Sequence, residues 1–123
     1  MKRIASGVKE SLDFISGENT IRDTKLCGFR ISMRPESTAT EILFQMRPEA
    51  LYRQCLIRLE ECQRIDFLFS NEENPYYVES YKFLFLSSRN VYLCLDPYDE
   101  RDASPNDKDE DVIIAKKVSV FAF

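Results

Sequence analysis

The chain has 123 residues and a formal net charge of −4, from 21 acids and 17 bases, and it contains no histidine. That length suits one domain burying about two thirds of its unfolded surface. The acidic balance, with a pI near 4.9, argues against a general nucleic-acid binder. The missing histidine excludes Ser-His-Asp and Cys-His triads and His-ligated zinc, and it removes the commonest general base.

The first predicted element is a short helix from Gly7 to Ser16. Val8, Leu12 and Ile15 share one face, Ser6 is placed to cap the start, and Gly17 is placed to close the end. After a polar connection, Cys27, Phe29, Ile31 and Met33 alternate with Gly28, Arg30, Ser32 and Arg34, a period of two that predicts a strand with one wet face. Turn chemistry at residues 34–38 leads into Ile42, Phe44 and Met46, so a hairpin is the preferred reading of this region. A helix over residues 37–46 is the alternative. Pro48 then opens what reads as the longest helix, residues 48–63. Its stripe is Leu51, Cys55, Leu59 and Cys62, and Glu49–Arg53 and Glu60–Arg64 form i,i+4 pairs on the solvent face.

Strands are expected over Ile65–Ser70, over the aromatic run Tyr77–Leu86, over Val91–Leu95 and over Val112–Phe121. The loop Asn71–Pro75 separates the first two. Residues 87–90 make a tight turn in which Asn90 suits a left-handed conformation. The order α-β-β-α-β-β-β-β predicts a single α+β domain over residues 1–123, a mostly antiparallel sheet with one long and one short helix packed on one face.

The four cysteines, Cys27, Cys55, Cys62 and Cys94, include no C-x-x-C pair and fall in apolar phases, which reads as reduced core thiols in a cytoplasmic protein. Basic residues at the N-terminus are followed by Lys9, Glu10 and Asp13 instead of an apolar stretch, and the longest apolar run, Val91 to Leu95, is far too short for a membrane span. No membrane partner is expected.

The most unusual segment is Asp96 to Asp111, where eight of sixteen residues are acidic and two are basic. It supplies the whole negative balance of the chain. Asp107, Asp109 and Asp111 give D-x-D-x-D, but Val112 and Val118 stand where an EF-hand needs Gly and Glu, so no metal site is assigned. Three glycines form no phosphate loop, and no nucleophile elbow or zinc motif occurs. No catalytic residues and no cofactor are therefore expected, and the protein is read as a non-enzyme. Tyr76, Tyr77, Tyr81, Phe83 and Phe85 interleave with Lys82 like a base-stacking platform, yet the neighbouring acids oppose a phosphate backbone, so no direct nucleic-acid contact is expected. An exposed tyrosine ringed by carboxylates instead suits capture of a basic protein surface. The candidate contact residues are Asp96, Tyr98, Asp99, Glu100, Asp102 and Asp109.

The run Val91-Tyr92-Leu93-Cys94-Leu95-Asp96-Pro97-Tyr98-Asp99-Glu100, a strand followed by a turn and acids, resembles the small immunity proteins of bacterial toxin–immunity systems, including contact-dependent inhibition. The resemblance implies an inhibitor that neutralises a cognate toxin, commonly a basic nuclease. A phage-encoded inhibitor of a host nuclease, of the anti-restriction or anti-CRISPR kind, has the same outward character. A small ligand-binding domain, or a regulatory one dimerising through its C-terminal strand, are further alternatives.

Overall fold

A computed structural model describes residues 2–67 and 76–123. The chain builds β1 (Lys2–Ser6), α1 (Val8–Ile15), β2 (Thr24–Met33), β3 (Thr38–Gln45), β4 (Gln54–Asp66), β5 (Tyr76–Val78), β6 (Lys82–Phe85), β7 (Val91–Asp96) and β8 (Glu110–Ala122). These strands pair in the order β5-β2-β3-β4-β8-β7-β6, and β1 pairs with β8 off that path. Every pairing is antiparallel. The sheet curls into a half-barrel. Its curvature has a covalent cause. The terminal strands β5 and β6 are joined through residues 79–81 alone, so the two ends of the sheet lie within about 14 Å of each other.

The α+β expectation is thereby corrected. The region read as a helix over 48–63 is an extended connection followed by β4, a strand hydrogen-bonded to β3 on one side and β8 on the other. Cys55, Ile57 and Leu59 alternate inward and are fully buried, whereas Leu51, the first residue of the supposed helical stripe, is 82% exposed. A spacing of four satisfies both periods, and the buried Ile57 breaks the tie toward two. The charges find other partners than the helical ones. Glu49 faces Arg47 at 3.4 Å, and Arg64 donates to Asp66 at 2.9 Å. The aromatic run also divides. Tyr76–Val78 pairs with β2 while Lys82–Phe85 pairs with β7, so one sequence segment supplies both ends of the sheet.

The remaining elements form close to where they are expected, although Ile31 and Met33, read as the covered side of β2, stand exposed. Residues 34–37 close the β2–β3 hairpin, with the Arg34 amide donating to the Ser37 carbonyl at 3.0 Å. The helix forms one residue inside each predicted end. Gly7, at φ 87°, takes the capping position, and the Ser6 amide donates to Glu10 Oε2 at 3.2 Å. The left-handed residue in the β6–β7 turn is Arg89 (φ 68°) instead of Asn90. Ile65 and Asp66 complete β4, whereas residues 68–70 of the expected strand and the loop 71–75 lie outside the described residues.

Side chains alternate across the sheet. Ile42, Phe44, Ile57, Leu59, Leu93, Ile113 and Val120 meet inside the half-barrel with Ile15 of α1. On the other face of β6, β7 and β8, Tyr92, Cys94 and Val112 form a second small core, with Leu84, Leu86 and Ile114 at its rim. β8 is paired along one edge by β4 and along the other by β7 over Glu110–Ala115 and by β1 over Ser119–Ala122, so most of both edges of the C-terminal strand is engaged within the chain.

Candidate functional site

The acidic segment between β7 and β8 is held down at its centre by a buried lysine. Lys82 enters from β6, where alternation points it away from the main core and under the segment. Its ammonium donates to Asp109 Oδ2 at 3.1 Å, to Oδ1 at 3.3 Å and to the Ser104 carbonyl at 2.9 Å. The side chains of the pair are 1% and 0% exposed. Tyr92 adds its hydroxyl to Asp109 Oδ2 at 2.7 Å from the neighbouring strand. Two main-chain amides complete the shell, Tyr98 N–H to Oδ1 at 2.9 Å and Asn106 N–H to Oδ2 at 3.0 Å. A buried charge pair is tolerated only when its remaining hydrogen-bonding capacity is filled, as it is here.

The electrostatics follow. Burial alone raises the Asp109 pKa, but the hydrogen bonds from Tyr92, the Tyr98 amide, Lys82 and the Asn106 amide outweigh it and hold the carboxyl below its ordinary value. Burial and the same carboxylate push the Tyr92 phenol upward, so it stays a donor. Burial pushes Cys94, beneath the segment, up to about 12.

A second tie lies at Glu100. Its Oε1 accepts from Arg22 at 2.6 Å and its Oε2 from the Tyr81 amide at 3.0 Å, fastening the segment to the link between β5 and β6. Tyr81 in turn donates its hydroxyl to the Ile15 carbonyl at 2.7 Å, below the end of α1. Local turns finish the segment. Asp99 accepts from the Arg101 amide at 3.0 Å, and Asp102 accepts from the Ser104 hydroxyl at 2.7 Å. The Arg101 amide and guanidinium lower the Asp99 pKa.

The six candidate contact residues therefore separate. Tyr98 is 62% exposed, with Lys108 Nζ 4.8 Å from its ring centroid. Asp99 and Asp102 are half-buried, with their carboxylates engaged in local turns. Asp96 is exposed at the end of β7, in register with Glu110. Glu100 is occupied by Arg22 and Tyr81. Asp109 is a correction: its carboxylate faces inward and is saturated by Lys82, Tyr92 and two amides, so it holds the surface without forming part of it. Lys82 and Tyr92 were missed by sequence reasoning. The available signal was a single lysine inside the apolar run 76–86, which must pair if that run is buried.

The stacking platform does not assemble either, because Phe83 is buried and Tyr76 and Tyr81 pack against the core, which leaves Tyr77 and Phe85 as the exposed rings of the five. Asp111, the third acid of the D-x-D-x-D run, accepts from the Tyr76 hydroxyl at 2.5 Å, and among the described residues no three metal-ligating side chains converge. The cysteines are all unpaired: Cys55 and Cys94 are buried and Cys62 is half-buried. Cys27 departs from the expected core position. It is the extra residue of a bulge between Leu26 and Gly28 and stands exposed. No helix is long and apolar enough to cross a membrane among the described residues. Comparison with protein-family models, curated proteins and solved structures finds no match.

Proposed function

We propose that the protein is a non-enzymatic inhibitor that captures a basic partner protein, a nuclease-type toxin in the immunity-protein reading, on the surface of the segment between β7 and β8. The observation that carries this reading is the buried Lys82–Asp109–Tyr92 cluster. A charged loop that serves only solubility needs no such anchor. Anchoring orders the backbone beforehand, so less conformational entropy is lost when a partner binds. Tyr98 supplies the amphipathic ring common at interface centres, and Asp99, Asp102 and Asp107 supply charges that steer a basic partner.

The test is affinity capture from the native source with wild-type protein and with Tyr98→Ala/Asp99→Lys/Asp107→Lys, whose side chains lie outside the buried cluster. A basic protein retained by the wild type, released by rising salt and lost from the triple variant supports the reading. Recovery of the same partners by both proteins, or of none by the wild type, overturns it.

A further inference from the structure

We infer that the end of the half-barrel remote from the acidic segment is a binding site for a small aromatic carboxylic acid. None of its residues belongs to the segment between β7 and β8, so the inference stands apart from the function proposed above. The acidic segment enters the start of β8, and this site lies at its finish, about 40 Å along a thirteen-residue strand.

The ends of β3 and β4, the connection between them and Phe123 surround an open cavity of about 820 Å³. That volume lies within the range of small-molecule sites, and barrel mouths are a common place for them. Met46, Tyr52 and Phe123 give it an apolar and aromatic wall. Main-chain bonds fix its frame, because the Arg53 and Gln54 amides donate to the Phe123 oxygen at 3.0 and 2.9 Å and the Met46 amide donates to the Arg53 carbonyl at 2.8 Å. Tyr52 is braced by Phe14 of α1, with ring centroids 5.9 Å apart.

The polar lining divides in a way that defines the ligand. Arg47 is committed elsewhere. Its guanidinium donates to the carbonyls of Glu18, Thr20 and Arg22 between 2.7 and 3.0 Å and faces Glu49 at 3.4 Å. Arg53, Gln45 and Gln54 also line the cavity, and their side chains make no hydrogen bond or ion pair among the described residues. One uncommitted guanidinium and two uncommitted amides beside aromatic walls match a carboxylate joined to a flat apolar body. The guanidinium takes both carboxylate oxygens, the amides donate to their remaining lone pairs, and the ring stacks on Tyr52 and Phe123.

The probe is 2-naphthoate, titrated against the full chain and followed by NMR of the Met46 methyl group and the Tyr52 and Phe123 rings, with 2-naphthamide as its uncharged analogue. Saturable shifts confined to these groups are expected, with the acid binding more tightly than the amide. Arg53→Gln should weaken the acid about tenfold and leave the amide unchanged, as loss of a charge-assisted pair requires. Gln45→Glu, which places a negative charge at the rim without touching Arg53, should weaken the acid in the same direction. Absence of saturable shifts at millimolar probe, shifts centred elsewhere, or equal affinity of wild type and both variants for the acid overturns the inference.

Discussion

At the scale of single residues, Asp109 is the group on which the acidic segment depends. Removing one member of a buried pair leaves the other charged and unpaired, which costs about 3–5 kcal/mol. Lys82→Met and Asp109→Asn should each lower stability to denaturant by about that amount. The double variant should cost less than the sum, with a coupling of about 1–3 kcal/mol. Additive losses would mean that the two side chains do not act as a unit. Tyr92→Phe removes one donor from the same carboxylate and should cost about 1–3 kcal/mol. Acid acts on the same group. Asp109 titrates lower in the folded than in the unfolded chain, so its contribution is complete above an unfolded value of about 3.9 and is lost as pH falls through its folded value. Wild type should therefore lose stability below about pH 4 more steeply than Asp109→Asn, measured by urea unfolding across pH.

At the scale of elements, β4 is where sequence and structure part. Leu51, Cys55, Leu59 and Cys62 obey a helical spacing, and Cys55, Ile57 and Leu59 obey a strand spacing in the same residues. Local pattern cannot separate the two, and the decision comes from β3 and β8, which hydrogen-bond both edges of the segment. Two substitutions distinguish the outcomes. Ile57→Ala should cost about 2–5 kcal/mol because Ile57 is fully buried, and Leu51→Lys should be close to neutral. A helix over 48–63 predicts a clear loss for Leu51→Lys, read by thermal melting. β2 was legible from its period of two and the short helix from its single apolar face, whereas residues 37–46 left a helix open beside the strand and β8 was read from its apolar composition. The bulge at Cys27 was not legible, since an inserted residue changes phase without changing composition. It leaves one exposed thiol. A maleimide should label Cys27 in the native state, while Cys55 and Cys94, whose pKa values burial pushes up to about 12, should label only on unfolding.

At the scale of the whole molecule, the half-barrel gathers what the sequence scatters. The acidic segment is obvious in composition, and its exposed aromatic was correctly located at Tyr98. Its anchoring was hidden because Lys82, Tyr92 and Asp109 are separated by up to 27 residues and meet only when β6, β7 and β8 lie side by side. The closing of the sheet was hidden for a related reason: the run Tyr77–Leu86 reads as one strand, and only tertiary pairing divides it between β5 and β6. A partner held by this surface should associate more slowly as salt rises, since exposed charges are screened beyond about 8 Å at physiological ionic strength.

The most direct test of the account is native-state hydrogen exchange at the amides of Tyr98 and Asn106, the two that donate to Asp109. The anchored segment predicts strong protection of both, lost in Asp109→Asn while amides in β4 stay protected. Exchange of both amides at the free-peptide rate in the wild type would make the segment a solvated loop and would contradict a preformed acidic surface.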